Sequence, residues 1–86
     1  MSKSKSCNSH RKRELKRRLF RGRQQASCCF CNRVLGQRVA TLEHVLPLSE
    51  GGSWHISNLR ISCKACNQER GVLEFGDFLR AKQASR

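Results

Sequence analysis

The chain has 86 residues, enough for one small domain whose limited core calls for a metal or disulfide staple. Its 18 lysines and arginines against 6 acidic residues give a formal charge of +12, so we expect a polyanionic partner. No apolar run approaches the roughly 20 residues of a membrane span, which argues against an integral membrane protein. No apolar segment follows the charged N-terminus, so we expect a protein that is not secreted and stays in the reducing cytoplasm.

The N-terminal part of the chain carries most of the charge. Residues 1–25 hold ten basic residues and one acid, whereas residues 26–86 hold eight basic and five acidic residues. We therefore predict a basic arm over 1–25 and a domain over 26–86. Within the arm, residues 1–9 are predicted to be a disordered lead-in, and residues 9–25 a loose helix that phosphates would stabilise. The predicted nucleic-acid contacts of the arm are Arg11, Lys12, Arg13, Lys16, Arg17, Arg18, Arg21 and Arg23; the alternative is a solvated tail.

Two Cys-x2-Cys pairs, Cys28/Cys31 and Cys63/Cys66, are typical of metal knuckles. Two such knuckles complete a tetrahedral site, so we predict one structural Zn²⁺ held by four thiolates. Because four thiolates leave no open position for water, this zinc should do no chemistry. Cys29 is too close to Cys31 for a knuckle and is predicted to pack or to be a spare thiol. Cys7, in the arm, is predicted to be another spare thiol.

Short elements are predicted between and after the cysteine pairs. Residues 38–46 are β-prone and end at Pro47, residues 49–53 form a turn, and residues 55–61 form a second extended segment. A helix is predicted from Cys63 to about Arg70, ended by Gly71, and a last helix over 75–84. The predicted core consists of Val45, Leu46, Leu48, Trp54, Ile56, Leu59 and Ile61.

These residues also form a recognisable series of motifs. Glu43-His44-x2-Pro47-Leu48-x2-Gly51-Gly52 is followed by Asn58-Leu59 and by Cys63-x2-Cys66-Asn67-x2-Arg70-Gly71. In this order and spacing the motifs closely resemble the HNH endonucleases of the His-Me finger class, over residues 28–72. The resemblance implies a small α+β fold in which a ββα unit grips one divalent metal. That unit would be braced by the four-cysteine structural zinc and flanked by the basic N-terminal helix and a short C-terminal helix.

The chemistry of phosphodiester hydrolysis asks for the same residue types. It needs a base that activates water and a cation that stabilises charge at phosphorus and on the leaving oxygen. The neutral imidazole of His44 can be the base, and the oxygens of Glu43 and Asn67 suit Mg²⁺ or Mn²⁺. Adjacent side chains of a strand point to opposite faces, which favours separate roles for Glu43 and His44.

The resemblance implies a role for each residue. His44 would be the general base, and Asn58 would hold the loop and orient that base. Glu43 and Asn67 would bind one catalytic Mg²⁺ or Mn²⁺; Asn67 replaces a histidine, and Glu43 is one methylene longer than the more usual aspartate. Arg70 is predicted either to contact a phosphate or to form a surface ion pair with Glu74.

The resulting hypothesis is a metal-dependent HNH endonuclease that cleaves DNA, with double-stranded DNA expected and RNA left open. Small HNH proteins of this kind resemble those that phages encode, in which case the location would be the host cytoplasm. One alternative is a catalytically silent, zinc-stapled module that only binds nucleic acid. Another is a small subunit of a larger DNA-processing assembly, in which a partner protein supplies the specificity.

Overall fold

The computed structural model describes residues 9–84, so Cys7 and nearly all of the predicted lead-in lie outside the described part. The elements in chain order are α1 (Ser9–Phe20), β1 (Gln25–Ser27), β2 (Val34–Gly36), β3 (Thr41–His44), β4 (Leu59–Ser62), α2 (Lys64–Arg70) and α3 (Phe75–Ala84). This small α+β arrangement confirms the predicted fold class. Within residues 9–84, no helix combines the length and the apolar composition that crossing a membrane requires.

Two antiparallel hairpins form the β structure. Strand β1 pairs with β2, and β3 pairs with β4 in a register that sets Thr41 opposite Ser62 and His44 opposite Leu59. Since α2 follows β4 directly, β3, β4 and α2 make a ββα unit. Both predicted extended segments are shortened: the first keeps Thr41–His44, and the second begins with a 3₁₀ turn at Ile56–Asn58 before β4.

The loop between β3 and β4 depends on its glycine pair. Gly51 has φ of 93°, a left-handed conformation that glycine adopts without steric cost. At Gly52 an added Cβ would lie 1.8 Å from the carbonyl oxygen of Leu46, so only glycine lets the loop fold back this closely. In the predicted turn, the chain therefore folds back tightly against the backbone of Leu46, just after β3.

The core surrounds the cysteine pairs, and the predicted core is therefore wrong in its location. Phe20, Phe30 and Phe78 are buried with the knuckle cysteines, and the Phe30 and Phe78 rings meet edge to face at 4.8 Å. Of the predicted core only Leu59 and Ile61 are buried, whereas Leu46 is 45% exposed. The reason is that residues 45–56 form the returning loop, which lies at the edge of the ββα unit.

Helix α1 packs on the rest of the protein, which differs from the loose helix expected from its charge. Leu15 and Phe20 are each only 1% exposed, and α1 contacts both β3 and β4. The ammonium of Lys16 donates a hydrogen bond to the carbonyl oxygen of Gln37 at 3.1 Å. Burial of two large apolar side chains thus fixes the position of the charges that α1 carries.

The four predicted knuckle cysteines converge on one point. The sulfurs of Cys28, Cys31, Cys63 and Cys66 all lie within 4.8 Å of one another, positioned to bind a metal. Zn–S bonds of about 2.3 Å in a tetrahedron place sulfurs about 3.8 Å apart, so this spacing suits zinc. Cys29 is not part of the cluster; its amide donates to the carbonyl oxygen of Ile61 at 2.8 Å, and burial raises the pKa of its thiol to about 12.

We expect about one tightly bound zinc per chain, measured by elemental analysis of the purified protein. Cys28→Ser or Cys66→Ser should abolish the cooperative thermal transition, because this small core lacks another staple within the described residues.

The matched control is Cys29→Ser, which should keep both the zinc and the transition. Disulfides without zinc, or loss of folding in Cys29→Ser alone, would contradict the assignment of the ligands.

Candidate active site

A shallow cavity of about 270 Å³ lies between the end of β3 and α2. Three of the four predicted site residues, Glu43, His44 and Asn67, line this cavity together with Arg70. Asn58 does not line it. The structure thus gathers residues that are up to 27 positions apart in the sequence, because β3 and α2 belong to the same ββα unit.

Glu43 is the most tightly held residue of the site. Its side chain points from β3 towards α2 and is only 4% exposed. Oε1 accepts hydrogen bonds from the Asn67 amide at 2.9 Å and from the Ser62 hydroxyl at 3.4 Å, while Oε2 accepts one from Nη1 of Arg70. A buried carboxylate needs such partners, since an unpaired charge in the interior is strongly unfavourable.

Arg70 lies in the interior and pairs with Glu43, so the predicted surface ion pair with Glu74 is wrong. Arg70 is 5% exposed; Nη1 donates to Glu43 and, at 2.7 Å, to the carbonyl oxygen of His44. Nη2 donates to the carbonyl oxygen of Val45 at 3.2 Å, and Nε to that of Leu73 at 2.8 Å. Four of the five guanidinium N–H groups are therefore used on protein acceptors. The helical spacing could have indicated this burial, because Arg70 follows Cys66 by four residues and so shares its inward face.

His44 lies at the end of β3, half-buried against Trp54. The two rings meet edge to face with their centroids 4.4 Å apart, and Nε2 is buried without a hydrogen-bond partner among the described residues. Burial, and then the positive charges of Arg70 and Lys12, lower the pKa of the imidazole. The lowered pKa favours the neutral ring at pH 7. Sequence reasoning had placed Trp54 in the core and missed this contact.

Asn58 fastens the loop that follows His44. Its side-chain oxygen accepts from the amide of Leu46 at 2.9 Å, and its side-chain nitrogen donates to the carbonyl oxygens of Leu46 at 3.0 Å and Ser53 at 2.9 Å. Its own carbonyl accepts from the amide of Val45 at 2.9 Å. The Asn58 side chain thus joins the two sides of the loop, Leu46 before the glycine pair and Ser53 after it.

The predicted nucleic-acid contacts of the arm are mostly exposed. Lys16 is the half-buried exception, and Arg17 forms a long ion pair with Glu14 at 3.9 Å. Lys12 is close to the site, because its ammonium lies over the Trp54 ring at 5.5 Å from the centroid. The basic helix and the histidine are therefore linked through one tryptophan.

We expect Arg70→Gln to lower the free energy of unfolding by about 3–5 kcal/mol, because it leaves Glu43 buried without its charged partner. Arg80→Gln is the control: Arg80 pairs with Asp77 at the surface, so its loss should cost below about 1 kcal/mol. Urea unfolding of both variants gives the comparison. The double variant Glu43→Gln/Arg70→Gln removes both charges and should be more stable than Arg70→Gln alone; the reverse order would contradict a buried ion pair.

We expect the pKa of His44 to lie below the value of about 6.5 of a free imidazole, and to rise in Lys12→Gln. The sign follows from charge: Lys12 disfavours the protonated ring, so its removal favours protonation. NMR titration of the ring protons without added divalent cation measures both values. Arg18→Gln removes the same charge from an exposed position of α1 and is the control; an equal rise in both variants would contradict a direct effect of Lys12.

Comparison with known proteins agrees with this geometry. Residues 28–75 match the model of the HNH endonuclease family, as the Glu-His, Gly-Gly and Cys-Asn motifs indicated. No curated protein sequence matches the chain. The matched region contains both cysteine pairs and the whole ββα unit, and it begins after α1. Because it covers more than half of the 86 residues, the chain belongs to the HNH endonuclease family.

Proposed function

We propose that this protein is a metal-dependent endonuclease that hydrolyses phosphodiester bonds of DNA. The observation that carries the proposal is the cavity at the end of β3, where a neutral imidazole lies beside a carboxylate and an amide. A base and hard oxygen ligands in one open cavity are what hydrolysis of a phosphodiester requires. Membership of the HNH family supports the same reaction class.

The donor set fits a hard divalent cation such as Mg²⁺ or Mn²⁺. Glu43 and Asn67 converge, with Oε1 of the carboxylate 2.9 Å from the side-chain nitrogen of the amide. Asn67 would present its oxygen after rotating the amide, and Glu43 would bind while Arg70 keeps its orientation. When bound, the cation supplies Lewis-acid stabilisation of the charge that develops on the phosphate and the leaving oxygen.

His44 would act as the general base. Because Nε2 is buried, the nitrogen that meets water is Nδ1, and the neutral ring then carries its proton on Nε2. As the water oxygen attacks phosphorus, Nδ1 takes the proton of that water and the bond from phosphorus to the 3′ oxygen breaks. The leaving oxygen takes a proton from solvent, so the products carry a 5′-phosphate and a 3′-hydroxyl group.

The remaining residues would position these groups. Trp54 fixes the plane of the imidazole through the edge-to-face contact, and Asn58 holds the loop behind it. Arg70 holds the carbonyl of His44 and the carboxylate of Glu43 in one arrangement, and its remaining Nη2–H is the group proposed for contact with a phosphate. The basic residues of α1 would supply contacts to phosphates that do not depend on sequence.

We expect His44→Ala to lower the rate of plasmid nicking by about 10²–10⁴-fold in Mg²⁺ or Mn²⁺, because it removes the base but leaves folding and DNA affinity intact. His10→Gln is the control, since His10 is an exposed histidine on α1 outside the cavity. The measurement is nicking of supercoiled plasmid at saturating protein, with EDTA as the blank.

In the same assay, Asn67→Ala distinguishes the loss of a cation ligand from the loss of the base. Its loss of rate should be partly recovered by raising Mg²⁺ or Mn²⁺, whereas the loss in His44→Ala should not. Asn67 suits this test better than Glu43, whose removal would strand the buried charge of Arg70. A His44→Ala protein that nicks as fast as wild type would overturn the role of His44 as the base. A wild-type protein that never nicks DNA would leave the catalytically silent binding module as the function.

A further inference from the structure

A groove runs along α1 towards the candidate active site. Its first part, about 420 Å³, lies between α1 and the turn before β3; its second part, about 240 Å³, lies between α1 and β3. Lys16 lines both parts, and Leu42 lines both the second part and the cavity that contains His44. The two parts are therefore neighbours of each other, and the second is a neighbour of the cavity that contains His44. We call the two parts together the α1 groove, defined by Lys12, Arg13, Lys16, Gln37, Arg38, Ala40, Thr41, Leu42 and Trp54.

The charges of the α1 groove are all of one sign. It contains four cations, and Lys16 is held at its middle by the hydrogen bond to the Gln37 carbonyl. The acid that adjoins it, Glu14, lies beyond its outer end and forms an ion pair with Arg17. A row of four cations attracts a chain of phosphates, and Leu42 and the Trp54 ring give that chain apolar surface to pack against in the inner part.

Part of this row is not predictable from the basic arm. Arg38 comes from the turn before β3, 13 residues beyond the predicted arm, and only the fold brings it beside Arg13. Conversely, Arg18 of α1 and Arg33 of the first knuckle are exposed, yet neither belongs to the groove. The structure thus divides basic residues that look equivalent in the sequence into those that line the α1 groove and those that lie outside it.

We propose that the α1 groove holds the sugar-phosphate backbone of the DNA strand that reaches His44. This rests on the proposed function. Arg13 and Arg38 bind phosphates at the outer end, Lys16 and Lys12 bind those nearer the site, and Trp54 packs against the strand where it meets the imidazole. The matched family region begins at residue 28, so α1, which forms one wall of the groove, lies outside it.

The first test compares two double variants that remove the same charge. Arg13→Gln/Arg38→Gln removes two groove cations, and Arg33→Gln/Lys64→Gln removes two exposed cations that lie outside the groove and outside α1. Binding of a short DNA duplex is measured by fluorescence anisotropy over a range of salt concentrations, without divalent cations. Each lost phosphate contact lowers the salt slope by roughly 0.9, so the groove pair should lower it by about 1.8 and the control pair by less than half of that. Equal changes in both pairs would overturn the proposal.

The second test uses Trp54 as a reporter, because it is the single tryptophan of the chain. Duplex DNA in the groove should change its emission with the same midpoint as the anisotropy, and the groove pair should shift both midpoints to higher DNA concentration. DNA that binds without altering the emission would place the duplex elsewhere and overturn the proposal. A matched RNA duplex that acts at lower concentration than DNA would assign the groove to RNA instead.

The experiments distinguish failure of the groove proposal from failure of the proposed function. Both tests measure binding and need no cleavage. If the protein shows the groove effects but never nicks DNA, the groove proposal holds and the proposed nuclease function is wrong. If the protein nicks DNA through His44 while both double variants bind DNA equally, the proposed function holds and the groove proposal is wrong.

Discussion

The buried ion pair between Arg70 and Glu43 is the interaction on which the geometry of the site depends. One guanidinium contacts the carboxylate from β3, two backbone carbonyls at the end of β3, and one carbonyl after α2. Because each buried charge needs the other, β3 and α2 cannot shift separately without exposing an unpaired group. The carboxylate therefore has a fixed orientation, and the imidazole of the next residue lies on a fixed strand end.

Helix α2 is held at both ends by side chains rather than by its own stability. With only seven residues it is far shorter than a helix that is stable in isolation. At its start, the Cys63 thiol accepts from the amide of Cys66, and both sulfurs belong to the four-cysteine cluster. At its end, Arg70 is tied to β3. Asn67 lies between these two anchors, so its contact with Glu43 is set by the four-cysteine cluster and the ion pair together.

The sequence predicts those features that depend on local spacing. The cysteine pairs, the ends of α2 and α3, and the glycine turn follow from patterns within a few residues. The burial of Arg70 depends on Glu43, 27 positions away, and the place of Trp54 depends on a loop that folds back over β3. The predicted location of the core is wrong for a similar reason. In the sequence, the apolar residues of the 45–56 loop resemble a pair of strands, while the phenylalanines that form the core are scattered along the chain.

Helix α1 combines two properties that usually conflict, since like charges along a helix repel and weaken it. Leu15 and Phe20 offset this repulsion by packing against the hairpin and the knuckles, so the charges are displayed at fixed positions. One consequence is chemical: Lys12, held over Trp54, contributes to the lowered pKa that keeps His44 neutral. The other is electrostatic, because the same ammonium raises the positive potential next to the cavity, where an anion would enter. A single ammonium on a docked helix therefore both lowers the pKa of the His44 imidazole and adds positive charge beside the cavity.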